Sequence, residues 1–131
     1  MGGIYIIRRK IIAAIVSSLF IALLTLFDGY SENLFFNSLF LNLLVAIVFG
    51  VLLSFCIDWF CGRVFKTIYL REGVSFVLHT CAGLAFMGIG ALSAMLFFLV
   101  DRLLKPLKIS WLAVIIALVM VAILFIYLIN K

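Results

Sequence analysis

The sequence predicts an all-α fold: an integral membrane bundle of four transmembrane helices with both termini cytoplasmic. Three observations predict it. Of 131 residues, 69% are apolar and 11% are charged, against roughly 45–50% and 25% in a soluble domain. A domain this small has too much surface per volume to hide so many apolar side chains from water; lipid is the solvent that suits them. The apolar residues fall in four long runs. Ten Lys and Arg against five Asp and Glu give a net charge of +5, and they gather at the ends of those runs, where anionic headgroups would meet them. The whole chain, 1–131, reads as one membrane domain.

The spans are expected at about 11–27, 34–60, 73–100 and 111–129. The first is at the short limit for a crossing. Arg8, Arg9 and Lys10 precede it as they would a signal peptide, but no small-residue cleavage site follows, so the segment is expected to stay. The loop Asp28-Gly-Tyr-Ser-Glu-Asn33 has turn composition and separates it from the second span. All four runs lack internal Lys, Arg and Glu; Asp58 lies just inside the end of the second. Residues 61–72 are basic and amphipathic, suited to the membrane surface. Pro106, the one proline, marks a break before the fourth span.

The positive-inside rule sets the orientation. With four crossings, seven of the ten basic residues lie on the side of the termini and middle loop. Arg102, Lys105 and Lys108 fall outside, against the rule. An alternative removes this conflict: three spans plus a re-entrant hairpin at 73–100, centred on Gly88-Ile89-Gly90, with nine basic residues inside and one outside. The third run spans about 42 Å as one helix, against about 30 Å of hydrocarbon. A re-entrant backbone needs protein or a wet cavity around it, so one tilted helix is the leading expectation.

Inside lipid, small residues and side-chain hydrogen bonds hold helices together. In the second span Ser38, Asn42, Ala46, Gly50, Ser54 and Asp58 recur every fourth residue and form one ridge. In the third, Ser75, His79, Gly83, Gly90, Ser93 and Ala94 share a face, extended by Glu72 and Asp101. The two stripes are expected to face each other. Shorter versions are Ala14, Ser18 and Ala22, and Ala113 and Ala117. Ser54 and His79 both lie about 9 Å from the inner ends of their helices, so a contact between them is expected.

His79, the one histidine, and Asp58 are the candidate functional polar residues, because ionisable groups inside a membrane are costly. A neutral His79 making an interhelical hydrogen bond, and Asp58 reaching the headgroups, are the plainer readings. Cys56, Cys61 and Cys81 fit no zinc or redox spacing, so no metal and no cofactor is expected. Trp59, Phe60, Tyr69 and Trp111 read as an interfacial aromatic belt.

No catalytic motif is present, so an enzyme is not expected, and no basic surface is left over for nucleic acid. The leading expectation is a packing or accessory membrane protein, partnered by the lipid bilayer and by a second copy (a homo-oligomer) or another membrane protein. A small oligomeric transporter or channel and a holin-like lysis protein are the alternatives. The run Val74 to Leu84, VSFVLHTCAGL, following two spans and a short basic loop, resembles an uncharacterised family of small multi-pass membrane proteins from Gram-positive bacilli and their prophages. That resemblance implies the plasma membrane and supplies no activity.

Overall fold

The computed structural model describes residues 2–29 and 31–130, with the side chains at 2, 26, 28 and 128 outside that description. Lys131 and the Asp28 side chain, both used in the topology expectation, therefore lie outside the described residues. Among the described residues, five long helices make up the fold: α1 (Gly2–Leu24), α2 (Glu32–Val64), α3 (Ile68–Leu84), α4 (Met87–Leu103) and α5 (Trp111–Ile129).

Local chemistry sets most of the boundaries. Ser31 caps α2 from an extended backbone, its hydroxyl accepting from the Leu34 N–H, and Glu32 sits in the first turn, where the helix dipole favours an acid. Ser110 caps α5 in the same way, accepting from the Ala113 N–H at 3.2 Å. Within α2, residues Ala46–Gly50 form a π turn, an extra residue that shifts the faces before and after it. This helix of 33 residues is the one described helix long and apolar enough to cross a membrane, and only 22% of its most apolar stretch is buried within the molecule. That low burial is unlike the core helix of a soluble protein.

The third apolar run is not a single helix, which corrects the expectation of one crossing at 73–100. It folds back as a hairpin of α3 and α4. Gly83 and Gly90 make the close crossing. A Cβ on Gly83 would lie 2.7 Å from the Ala94 Cβ and closer still to the Gly90 carbonyl oxygen. The turn passes through Ala85 and Phe86 to Met87, whose φ of 67° is left-handed.

The hairpin changes the direction of everything after it. α1 leaves the end of the bundle where the basic residues gather, α2 returns to it, α3 and α4 leave and return, and α5 leaves. Three contacts fix this course. The Tyr5 hydroxyl donates to the Lys105 carbonyl at 3.0 Å, Arg8 lies 5.5 Å from the Trp111 ring, and Phe125 meets Phe40 in the far half of α2 at 4.9 Å. The start of α1 and the end of α5 thus lie at opposite ends, not on one side as the four-crossing layout required. Arg8 through Lys10, Arg63, Lys66, Arg71, Arg102, Lys105 and Lys108 all gather at one end.

α1 is the central helix. Lys10, Ala13, Ala14, Ser17, Ser18, Ile21 and Ala22 are buried, at the three-and-four spacing of one helical stripe. Most are small, which lets α2 and α4 approach closely. Leu43, Ala46, Val51 and Phe97 complete the core around them. α5 stands outermost: Val114 is buried, and its other described large apolar side chains are exposed or half-buried.

Candidate functional site

At the basic end, four helices bring their charges inward. α1 supplies Arg9 and Lys10, α2 Ser54 and Asp58, α3 Glu72, Ser75 and His79, and α4 Asp101 and Arg102. Arg9 grips Asp101 with two bonds, 2.7 and 3.1 Å, the forked geometry that suits guanidinium and carboxylate. Lys10 is wholly buried. Its ammonium donates to Ser54, to Asp58 at 2.6 Å and to Asp101 at 3.4 Å. Arg102 spans three acids: Glu72 at 2.5 Å, Asp58 at 2.7 Å and Asp101 at 2.9 Å. Lys105 closes the rim on Glu72 at 3.3 Å.

The inner charges balance: Arg9, Lys10 and Arg102 against Asp58, Glu72 and Asp101. Such pairing is what makes buried charge tolerable. Phenyl rings wall the site, with Lys10 5.7 Å from the Phe55 ring and Arg102 4.6 Å from that of Phe98.

His79 joins this network to the rest of the bundle. Its Nε2 lies 2.9 Å from the Ser54 hydroxyl and its Nδ1 2.7 Å from the Ser75 carbonyl. Nδ1 can only donate to a carbonyl, so Nε2 accepts from Ser54. Ser54 in turn accepts from Lys10. The sequence puts Ser54 and His79 at one depth, and they do meet. Asp58 reaches inward to Lys10 and Arg102 rather than out to headgroups.

The small-residue stripes meet only in part. Gly83, Gly90 and Ala94 are used up inside the hairpin. Asn42 turns to α1 and donates to Ser18 at 3.1 Å. Ala46 joins the core, and only Ser54 and Asp58 reach polar partners on α3, His79 at 2.9 Å and Ser75 at 3.3 Å. Where the stripes were expected to touch, a half-open cavity of about 780 Å³ separates the far half of α2 from the hairpin. Ser38, Asn42, Ala46 and Gly50 line one wall; His79, Gly83, Gly90 and Ala94 line the other. The displaced contact has a physical cause. A hairpin that buries its glycines against each other has none left to offer a neighbour.

Sequence reasoning did not single out Arg9, Lys10, Glu72, Ser75, Asp101 and Arg102 as one site. They read as flanking charges or as extensions of a stripe. Cys56 and Cys81 are exposed and Cys61 is buried. Among the described residues, no three His, Cys, Asp or Glu side chains cluster as metal ligands would. The chain matches no known protein family, no curated protein and no solved structure.

Proposed function

We propose that this chain is a multi-pass plasma-membrane protein, its basic end in the cytoplasm, that acts by binding within the bilayer as an accessory or ligand-holding protein rather than by catalysis. The observation that carries this reading is the division of the polar groups. Every ionised side chain of the inner network is committed to another, while the far half keeps a half-open cavity and a large exposed apolar surface.

The orientation follows from charge. With the hairpin entering from the basic end and returning to it, the loop of Lys105 and Lys108 no longer opposes the positive-inside rule. The bundle then places its amino end inside and the end of α5 outside. The resemblance of Val74 to Leu84 points to the same membrane.

Two other readings lose support from the geometry. Ser54 and His79 form a pair of the kind hydrolases use. Yet Ser54 is 1% exposed and its oxygen is held by the Lys10 ammonium, so no substrate carbonyl has room to reach it. A proton path from the cavity to Lys105 would run from His79 through Ser54, Lys10, Asp58, Arg102 and Glu72. It fails at Arg102, because a guanidinium does not release its proton. The network is a clamp.

Reporter fusions test the placement. A periplasm- or exterior-active enzyme fused after Lys131 is expected to be active, and one fused at Lys105 inactive. The opposite pattern restores four crossings and removes this reading. Cross-linking through Cys81 or Cys56, both exposed, then asks what lies alongside.

A further inference from the structure

We propose that the cavity between α1, α2 and the hairpin is a binding site for a neutral, lipid-soluble amphiphile: an apolar body carrying a hydroxyl or carbonyl group. At about 780 Å³ it falls within the range of small-molecule sites, roughly 300–1,000 Å³. Its walls are almost wholly apolar, with Leu41, Phe49, Phe86 and Phe97 among them.

Ser93 supplies the independent sign of a ligand. It lies in the second turn of α4, is 7% exposed, and faces this cavity. Its hydroxyl has no hydrogen-bond partner among the described residues. Its oxygen keeps accessible surface, since among the described residues no buried side-chain oxygen lacks a partner, whereas serines in a helix usually bond back to the preceding turn. Ser17 does so, donating to the Ala14 carbonyl at 3.1 Å, as does Thr80 to Phe76 at 3.0 Å. Ser93 does not, and it lines the same cavity as His79.

The charge of the occupant follows from the lining. No Lys, Arg, Asp or Glu faces the cavity, and His79, its one ionisable residue, has both nitrogens engaged. An ionised headgroup would find no counter-charge, whereas a neutral group finds the Ser93 hydroxyl as donor or acceptor. The cavity opens at the side, because α2 meets α3 along 51–64 and draws away beyond it. A ligand therefore enters from the bilayer.

This inference rests on the proposed bilayer placement. A wrong placement shows in the fusion reporters; a wrong site shows only in ligand labelling. The protein in phosphatidylcholine nanodiscs is photolabelled with three diazirine probes: a long-chain alcohol, the matching fatty acid at a pH that ionises it, and the matching alkane. The alcohol is expected to label residues of the cavity wall saturably and to be displaced by unlabelled alcohol. Ser93→Ala should raise the half-labelling concentration about three- to tenfold, the share of one hydrogen bond. Ser93→Thr should hold it near the original value, and Ala82→Phe, which intrudes on the cavity wall, should weaken labelling. Protection of the buried Cys61 thiol reports that each variant is folded, and the three probes on the unaltered protein decide without any variant. Equal labelling by alkane and alcohol would mean a passing bilayer chain and overturn the site. Preference for the fatty acid would overturn its charge. Cavity-wall cross-links to a second copy would overturn the ligand and make the cavity an interface between chains.

Discussion

The two ends of this bundle are held together differently. At the basic end, α1 to α4 share charged and polar groups, and nearly every one has a named partner. At the far end, apart from the Asn42–Ser18 hydrogen bond, the contacts are rings and aliphatic chains, such as Phe49 on Phe86 at 5.7 Å. There Ser93 goes without a partner and a cavity stays open. In water the far end would be expected to collapse, because apolar burial drives closure. On the proposed bilayer placement, lipid tails solvate Leu and Phe as well as protein does. The polar end therefore fixes which helices meet and in what register, and the apolar end is left free to accommodate something else.

The sharpest way to break that contrast is Asp101→Ala. It leaves Arg9 without its forked partner and Lys10 short of an acid, and should cost about 3–5 kcal/mol, the range for stripping one member from a buried ion pair. Loss of Cys61 protection from a thiol reagent, in a Cys56→Ala, Cys81→Ala background, measures it as temperature rises. A change under about 1 kcal/mol would show that the clamp does not carry the fold. Gly83→Val comes next. Its side chain meets the backbone of Gly90, so the hairpin must open, at a cost of about 1–3 kcal/mol by the same thiol readout. Met87→Gly should act in the other direction. A left-handed residue with a Cβ costs roughly 1–2 kcal/mol, and removing that Cβ should raise the melting temperature. The smallest effect is expected from Asn42→Leu, which removes the Ser18 bond in the far half. Interhelical hydrogen bonds in bilayers average about 0.6 kcal/mol. If Asn42→Leu cost as much as Asp101→Ala, the contrast between the two ends would be lost.

Much of the helical layout was legible because apolar runs, the turn composition of 28–33 and the proline in the last loop punctuate the chain. The hairpin was legible only as an alternative. Its turn residues, Ala85, Phe86 and Met87, carry no turn signature, and the visible glycines at 88 and 90 drew the expected bend a few residues too late. The Ser54–His79 contact could be read because depth along a helix is a matter of counting. The clamp could not, since Asp58 was singled out but its partners Lys10, Asp101 and Arg102 each look like an ordinary flanking residue that reaches for water. The signal was collective. Once the hairpin is allowed, three acids and three bases fall at one level of one end. The cavity had no sequence signal at all, because small residues announce close approach, and here the hairpin consumes it.

The clamp also dictates an order of synthesis. Lys10 and Asp58 are 48 residues apart, and Arg9 and Asp101 are 92 apart. On the proposed bilayer placement, Arg9 and Lys10 have no acids to meet when α1 is first made, so α1 would wait near the headgroups, where long basic side chains extend toward water. α2 brings the first acid and α4 the second, and only then can α1 sink into place. On that placement, a chain interrupted before Asp101 would leave Arg9 without its acid. Completion of the hairpin thus doubles as a check that the protein has been made in full through α4.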